Sequence, residues 1–329
     1  MSLPTQAAKL ISQPFSRYSL FSISILILAC AWYFSLKPSI TITLIDFKKG
    51  LFEHPADIVE FKEKFWVTEL LSSKIVQVDL GFSSIFQVLT HPNPKKEFRS
   101  PHNIAIDENS LFFSAGWGSS IYIFDQSLSN FKEIPEKKNQ TNIKLNAPHG
   151  ICRQGNWLYI ADSLNSRLIR MDINSLEKVE IFADHDKLIA YGRQLLCEKG
   201  SIWLSNSYEK REGLNTGNGS NVLKITDFNS GQAEVITQFP NTNITGIYLH
   251  QQRYLITAQW HTNSISIFDT KQKQIIGYAE LPKPYAGVPY GMFFSDTTKR
   301  LYITYIGDIY GKQNKGGIGV YKITKKRVN

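Results

Sequence analysis

Cysteine is scarce, with three in 329 residues: Cys30, Cys152 and Cys197, too few for the disulfide framework that staples small secreted domains. No Walker loop, no nucleophile elbow and no closely spaced metal-ligand motif occurs anywhere, which leaves P-loop and α/β-hydrolase chemistry without a sequence basis. Helical periodicity is missing as well after residue 37. Basic residues outnumber acids by 37 to 28, for a net charge of +9. They gather only in short clusters, such as Lys137-Lys138 and Lys325-Lys326-Arg327, so there is no basic stripe with interleaved aromatics. Nucleic acid is therefore not an expected partner, and attraction to an anionic membrane surface is the simpler meaning of the charge. What the chain does have is 42% hydrophobic and 12% aromatic residues, ample for a packed core.

Charge is absent altogether from Tyr18 to Leu36, "YSLFSISILILACAWYFSL". At about 1.5 Å per residue such a helix nearly crosses a hydrocarbon core of roughly 30 Å. The expected organisation is a cytoplasmic tail over 1–17, a transmembrane signal anchor over 18–36 and a folded domain over 37–329. Lys9 and Arg17 precede the run with no acid, which places the tail inside and the domain on the periplasmic or extracellular face. Two alternatives share that address. "LILAC" resembles a bacterial lipobox, in which Cys30 would carry lipid after cleavage, and the segment is also compatible with a cleaved secretory signal. The apolar "AWYFSL" after Cys30 favours the uncleaved anchor.

Beyond residue 50 the chain repeats itself. "HPADIVEFKEKFWVTELLSSKIVQVD" from His54 returns as "PHNIAIDENSLFFSAGWGSSIYIFD" from Pro101 and "APHGICRQGNWLYIADSLNSRLIRMD" from Ala147. Looser copies start at Tyr191, Ile244 and Pro289. The reference position two residues before each first apolar run falls on Ala56, His102, His149, Arg193, Thr245 and Tyr290, spaced by 46, 47, 44, 52 and 45 residues. Each unit holds short Ile-, Val-, Tyr-, Phe- and Trp-rich runs separated by Gly, Asn, Asp and Ser turns. Four strands per unit, six times over, predict an all-β fold, a six-bladed β-propeller. "SITITLIDF", 39–47, alternates like a strand ahead of the first unit; it is expected to close the ring as the outermost strand of the last blade, beside "GIGVYKIT".

Strand order then predicts which side chains converge. First strands start, and second strands end, at one face of the disc. His102, His149, Arg193, Thr245 and Tyr290 form the expected strand-start ring, and Glu69, Ala115, Asp162, Asn206, Gln259 and Tyr305 the strand-end ring, under long connections at 207–220 and 307–317. Trp117 and Trp260 follow second strands and suit an apolar rim. A ligand site is expected there, built from Glu69, Trp117, Asp162, Arg193, Asn206, Gln259, Tyr290 and Tyr305. Arg193 is expected to pair with Asp162 or Glu69, or to await an anionic ligand. Asp162 has a structural role open to it as well, capping the turn after its strand. Cys152 and Cys197 occupy near-equivalent places in successive repeats, and because adjacent strand positions face opposite ways, two buried free thiols are expected in preference to a bridge.

The third unit, with Pro148, Gly150, "LYIAD", Asn165, Arg167 and Leu168, resembles the NHL repeat, and the array over 40–325 is distantly similar to the senescence-marker-protein/gluconolactonase group. The NHL resemblance implies a six-bladed propeller and, by way of the peptidylglycine amidating lyase, histidines from several blades on zinc; His102 and His149 are the matching positions, with His54 or Asp57 as a third donor. The gluconolactonase resemblance implies a calcium cage of carboxylates, of which Glu53 is present and the others are not. Zn, Fe or Ca are accordingly the candidate cofactors. Propellers of this kind host many activities. The expected function is a membrane-tethered, extracytoplasmic propeller that binds a small ligand or an envelope protein at its mouth. The alternative is a metal-dependent lyase or hydrolase of lactonase or esterase type, with Tyr290 or Tyr305 moving a proton and no catalytic residue assigned.

Overall fold

β-Branched and aromatic runs bounded by tight turns form strands β1 to β24 among the described residues. The computed structural model describes residues 39–125, 127–134, 143–207, 219–282, 287–307 and 315–326. The apolar run 18–36, with Cys30 and the tail, lies outside them. Among the described residues no helix is long and apolar enough to cross a membrane.

β1 (Ser39–Lys49) precedes the first repeat. Blade 1 contains β2 (Pro55–Phe61), β3 (Lys64–Glu69), β4 (Lys74–Asp79) and β5 (Ile85–Leu89). Blade 2 contains β6 (Pro101–Ile106), β7 (Ser110–Ala115), β8 (Ser120–Asp125) and β9 (Phe131–Ile134). Blade 3 contains β10 (Pro148–Gln154), β11 (Trp157–Asp162), β12 (Arg167–Asp172) and β13 (Val179–Ile181). Blade 4 contains β14 (Tyr191–Glu198), β15 (Ser201–Ser207), β16 (Gly219–Asp227) and β17 (Gln232–Pro240). Blade 5 contains β18 (Ile244–His250), β19 (Tyr254–Gln259), β20 (Ser264–Asp269) and β21 (Gln274–Tyr278). Blade 6 contains β22 (Val288–Ser295), β23 (Arg300–Ile306) and β24 (Gly317–Lys326), with β1 as its fourth, outer strand. All six sheets are four-stranded, and the fold is a six-bladed β-propeller. By contact density the chain divides into Ile42–Ile323 and a small unit of Met1–Thr41 with Thr324–Asn329. Within the small unit, the Thr41 and Thr324 hydroxyls share a hydrogen bond of 2.7 Å.

The core is a series of slabs between blades. Val59, Trp66 and Ile75 of blade 1 pack with Phe113, Tyr122 and Phe124 of blade 2. Tyr159 and Leu168 of blade 3 pack with Leu204 and Leu223 of blade 4. Second strands are covered on both faces and so are apolar almost throughout, as in the buried run of β11. Outer strands meet water, and Ile85, Phe86 and Val88 of β5 are exposed.

Two features of the innermost strands position the site. Each first strand slips register against its second strand at the same place: Pro55/Asp57, Pro101/Ile104, Pro148/Ile151, Gly192/Leu195, Ile244/Gly246 and Pro289/Met292. Such a bulge bends the strand and re-aims its side chains. Hydroxyls then stitch each blade to the next. Thr68 donates to His102 O (2.7 Å), Ser114 to His149 O and Ser163 to Gly192 O (2.5 Å). Ser207 donates to Ile244 O (3.3 Å), Thr245 to Pro289 O (2.9 Å) and Thr304 to Ala56 O (2.7 Å). All six junctions carry one such bond.

The free-thiol expectation fails. Cys152 of β10 and Cys197 of β14 form a disulfide across a Cα separation of 5.6 Å. The alternation rule holds, but it was applied to the wrong pair of surfaces. Cys152 lies three residues past its reference position and Cys197 four past its own, so they point to opposite faces of their blades. In neighbouring blades, opposite faces are the ones that meet.

Candidate functional site at the strand-start mouth

The bulges turn the reference residues toward the channel. His102 and His149, in adjacent blades, have ring centroids 3.9 Å apart. Each Nδ1 lies 2.8 Å from the carbonyl two residues upstream, Ser100 O and Ala147 O. Both Nδ1 atoms therefore carry the proton and both Nε2 atoms are acceptors. His149 Nε2 meets the Tyr191 hydroxyl at 3.1 Å, whereas His102 Nε2 has no hydrogen-bond partner among the described residues. Gly116 makes this possible, because a Cβ there would press within 2.8 Å of the His102 ring.

Rings continue the arc. Tyr290 lies 6.4 Å from His102, Trp260 lies 5.9 Å from Tyr290, and Tyr191 lies 5.0 Å from His149. Arg193 sits inside this arc. Its guanidinium is 4.5 Å from the Tyr191 ring centroid, and its Nη1 donates to Tyr290 Oη at 3.3 Å. Its Nε is buried without a partner, and among the described residues no carboxylate stands within ion-pair distance. Burial, with the Arg193 charge assisting, pushes His102 down to about 4. His149 is pushed well below the usual imidazole range by burial, then by His102 and Arg193. Burial raises the Tyr290 phenol, and Arg193 partly offsets the rise. The mouth thus presents one cation, one open acceptor, neutral hydroxyls and aromatic faces.

One residue further along each bulge lies a second ring: Asp57, Asn103, Gly150, Gln194, Gly246 and Gly291. Asp57 Oδ2 accepts from Asn103 Nδ2 (2.9 Å) and Ile104 N (3.1 Å). Gln194 Oε1 accepts from Ile247 N (2.6 Å), and its Nε2 donates to Met292 O (3.4 Å). The glycines are obligatory, since a Cβ at Gly246 or Gly291 would run into the carbonyl of Tyr290 or Ala56. This layer forms a polar partition beneath the mouth.

The strand-end residues do not join the arc. Glu69 accepts from Glu53 N and His54 N, and Asn206 Oδ1 from Ala190 N and Tyr191 N, so both fix the chain entering their own first strand. Asp162 does the same for Asn146 N and binds Arg167 Nε at 2.7 Å. The expected pairing of Arg193 with Asp162 or Glu69 is therefore absent: Asp162 is taken by its neighbour, and Glu69 is committed to backbone. Gln259 is spent on Thr257, Ser266 and Thr262, and Tyr305 on Tyr321. Trp117 is 66% exposed on its turn, whereas Trp260 packs on Tyr290. His102 and His149 come together, but among the described residues no cluster of three His, Cys, Asp or Glu forms that could hold a metal. Asp57 is engaged in the layer below, and His54 gives its backbone N–H to Glu69. Most of the long connections, 208–218 and 308–314, lie outside the described residues.

Sequence reasoning missed Tyr191, Asn103 and Gln194, and named Asp57 only as an alternative third metal donor. The signal was in the dipeptides at each reference position: "AD", "HN", "HG", "RQ", "TG" and "YG". Two successive polar or glycine residues inside an apolar strand mark a bulge, where both side chains can face the axis.

These features define a six-bladed propeller with a cationic, aromatic mouth. Solved structures similar to this chain include virginiamycin B lyase from Staphylococcus aureus, at 17% identity over 88% of this chain and 90% of that one, TM-score 0.54. A streptogramin B lyase is 13% identical over 87% and 98%, TM-score 0.54, and the WD40 repeats of RRP9 are 11% identical over 86% and 98%, TM-score 0.60. At these identities the likeness shows the fold alone. No protein-family model and no curated protein matches the chain.

Proposed function

We propose that this chain is a membrane-tethered, extracytoplasmic ligand-binding propeller whose mouth takes a small molecule with an anionic group on a flat apolar body. The observation that carries it is Arg193, a half-buried cation with an unpartnered Nε and no carboxylate beside it among the described residues. Leaving such a group unpaired costs free energy that a docked carboxylate or phosphate would recover through charge-assisted hydrogen bonds. His102 Nε2 would accept a proton from a ligand donor, and Tyr290 and Trp260 supply apolar faces. Tethering is supported by the uncharged run 18–36, and an oxidising compartment by the Cys152–Cys197 bridge. Titration calorimetry with phenylacetate tests the mouth: Arg193→Met should lower affinity at least tenfold, and unchanged affinity overturns the reading.

A second reading, the lyase or hydrolase, draws on the His102–His149 pair and on the lyases among similar structures. One free Nε2 is too few to hold Zn, Fe or Ca without donors from a ligand or from beyond the described residues. Metal analysis of the purified protein separates the readings. Stoichiometric metal, lost in His102→Ala with His149→Ala, would establish the enzymic one. An envelope protein as occupant would instead co-purify with the chain and be retained in Arg193→Met.

A further inference from the structure

Beneath the polar partition, at the end of the channel away from the mouth, the six innermost strands line a second cavity of about 580 Å³. That volume suits a small molecule. Its walls are mixed: Val59, Ile106, Leu196, Leu249, Met292 and Phe293 share them with Gln194, Gln251 and Gln252. Its floor is Asp57, 3% exposed. Oδ2 is engaged, but Oδ1 is buried with no partner among the described residues. It points over the bare Cα of Gly291, where a Cβ would stand 2.5 Å away. Near the rim, Tyr248 stacks on Phe294 at 5.5 Å with 10° between planes. Glu198 and Asp296 flank the stack closely enough to raise the Tyr248 phenol further than burial alone. Of the lining cations, Arg153 has its charge balanced by Asp107 in an ion pair at 3.0 Å, although its Nε makes no hydrogen bond among the described residues, and Lys199 stands exposed at the rim.

We propose that this cavity binds a small organic cation, an ammonium on an apolar body, with the ammonium on Asp57 and the body between the aliphatic walls and the Tyr248–Phe294 pair. An anion would face Asp57, Glu198 and Asp296. A neutral apolar molecule would leave Oδ1 unpaired, and a metal ion would find a single open oxygen. Aromatic faces beside carboxylates are the usual surroundings of a bound ammonium.

Docking also moves a proton. Burial holds the Asp57 carboxyl up to about 7, so below that pH it must release its proton to solvent as the ammonium arrives. Of the elements around it, β6 presents Asn103, β3 Thr68 and β22 Tyr290, with Arg193 beyond Tyr290. The Tyr290 phenol is raised and stays neutral throughout this range.

Titration of the full chain with phenethylamine between pH 5.5 and 8.5 tests the proposal. Affinity should rise about tenfold per pH unit up to about 7 and then level off. Asp57→Asn, which keeps the acceptor for Asn103, should lower affinity at least tenfold and flatten that profile while phenylacetate binding at the mouth persists. Should Asp57→Asn fail to fold, Leu196→Trp fills the cavity from its wall and must abolish phenethylamine binding. No binding by the wild-type chain, equal binding and pH profile in Asp57→Asn, or retained binding in Leu196→Trp each overturns it.

Discussion

His102 and His149 stay neutral in the fold because burial deprives an imidazolium of water and Arg193 repels it. In the unfolded chain both titrate near the ordinary value of about 6.5. The unfolded state therefore binds protons first as pH falls. Stability is at its full level above about 6.5 and is lost toward pH 4, by up to about 1.4 kcal/mol per pH unit for each ring. Asp57 works in the opposite sense. Its folded value lies above the unfolded one, so its contribution is present at low pH and lost as pH rises through the window from about 4 to 7. Two imidazoles outweigh one carboxyl, and the melting temperature should fall between pH 6.5 and 4.5. Thermal unfolding should show a shallower fall in His149→Gln and a steeper one in Asp57→Asn; parallel curves for all three proteins would contradict this assignment. Part of the site was legible at this scale. His102, His149, Arg193 and Tyr290 followed from counting along the repeat. Asn103 and Gln194 did not, and Asp57 entered only as a metal donor, because a bulge breaks the two-residue alternation on which inward and outward positions are assigned.

Among the elements, the innermost strands are joined laterally by hydroxyls. Thr304 Oγ1 donates to Ala56 O in the next blade and accepts from Gly291 N in its own, and Thr68 does the same between His102 O and Asp57 N. Valine has the same shape but neither capacity, so two buried backbone groups would lose their partner. Thr304→Val and Thr68→Val should each destabilise by about 1–3 kcal/mol in denaturant unfolding, with serine restoring most of the loss. Blade 3 shows how the seam survives a missing residue. Ala161 stands where a hydroxyl is expected, and Ser163 in the short 3-10 turn (Ser163–Asn165) reaches Gly192 O instead. The strands themselves were readable from composition and turns. The seam was not, since "FWVTE", "FFSA" and "YITYI" read as apolar runs in which one hydroxyl carries no visible distinction. The strand-end polar residues misled for a related reason. Facing the mouth and capping the incoming turn require the same residue types at the same position, and only the backbone path decides between them.

For the molecule as a whole, the 45-residue separation between Cys152 and Cys197 makes their bridge a clamp between blades 3 and 4. Closing a loop of that size restricts the unfolded chain, and Cys152→Ser should cost about 2–4 kcal/mol in chemical denaturation, matched by reduction of the wild-type protein. A variant as stable as the unreduced wild type, together with a wild type whose stability reduction leaves unchanged, would show the bridge to be unformed. Blade number was legible because a period of about 45 residues persists through loops of different lengths. The bridge was not, because pairing between blades depends on which faces meet across a gap, a relation no single repeat contains.

The layer formed by Asp57, Asn103 and Gln194 has a consequence for the disc beyond the cavity it borders. Side chains from blades 1 and 4 are fastened to the backbones of blades 2, 5 and 6, so five of the six blades are tied to one another close to the axis by bonds that belong to no single sheet.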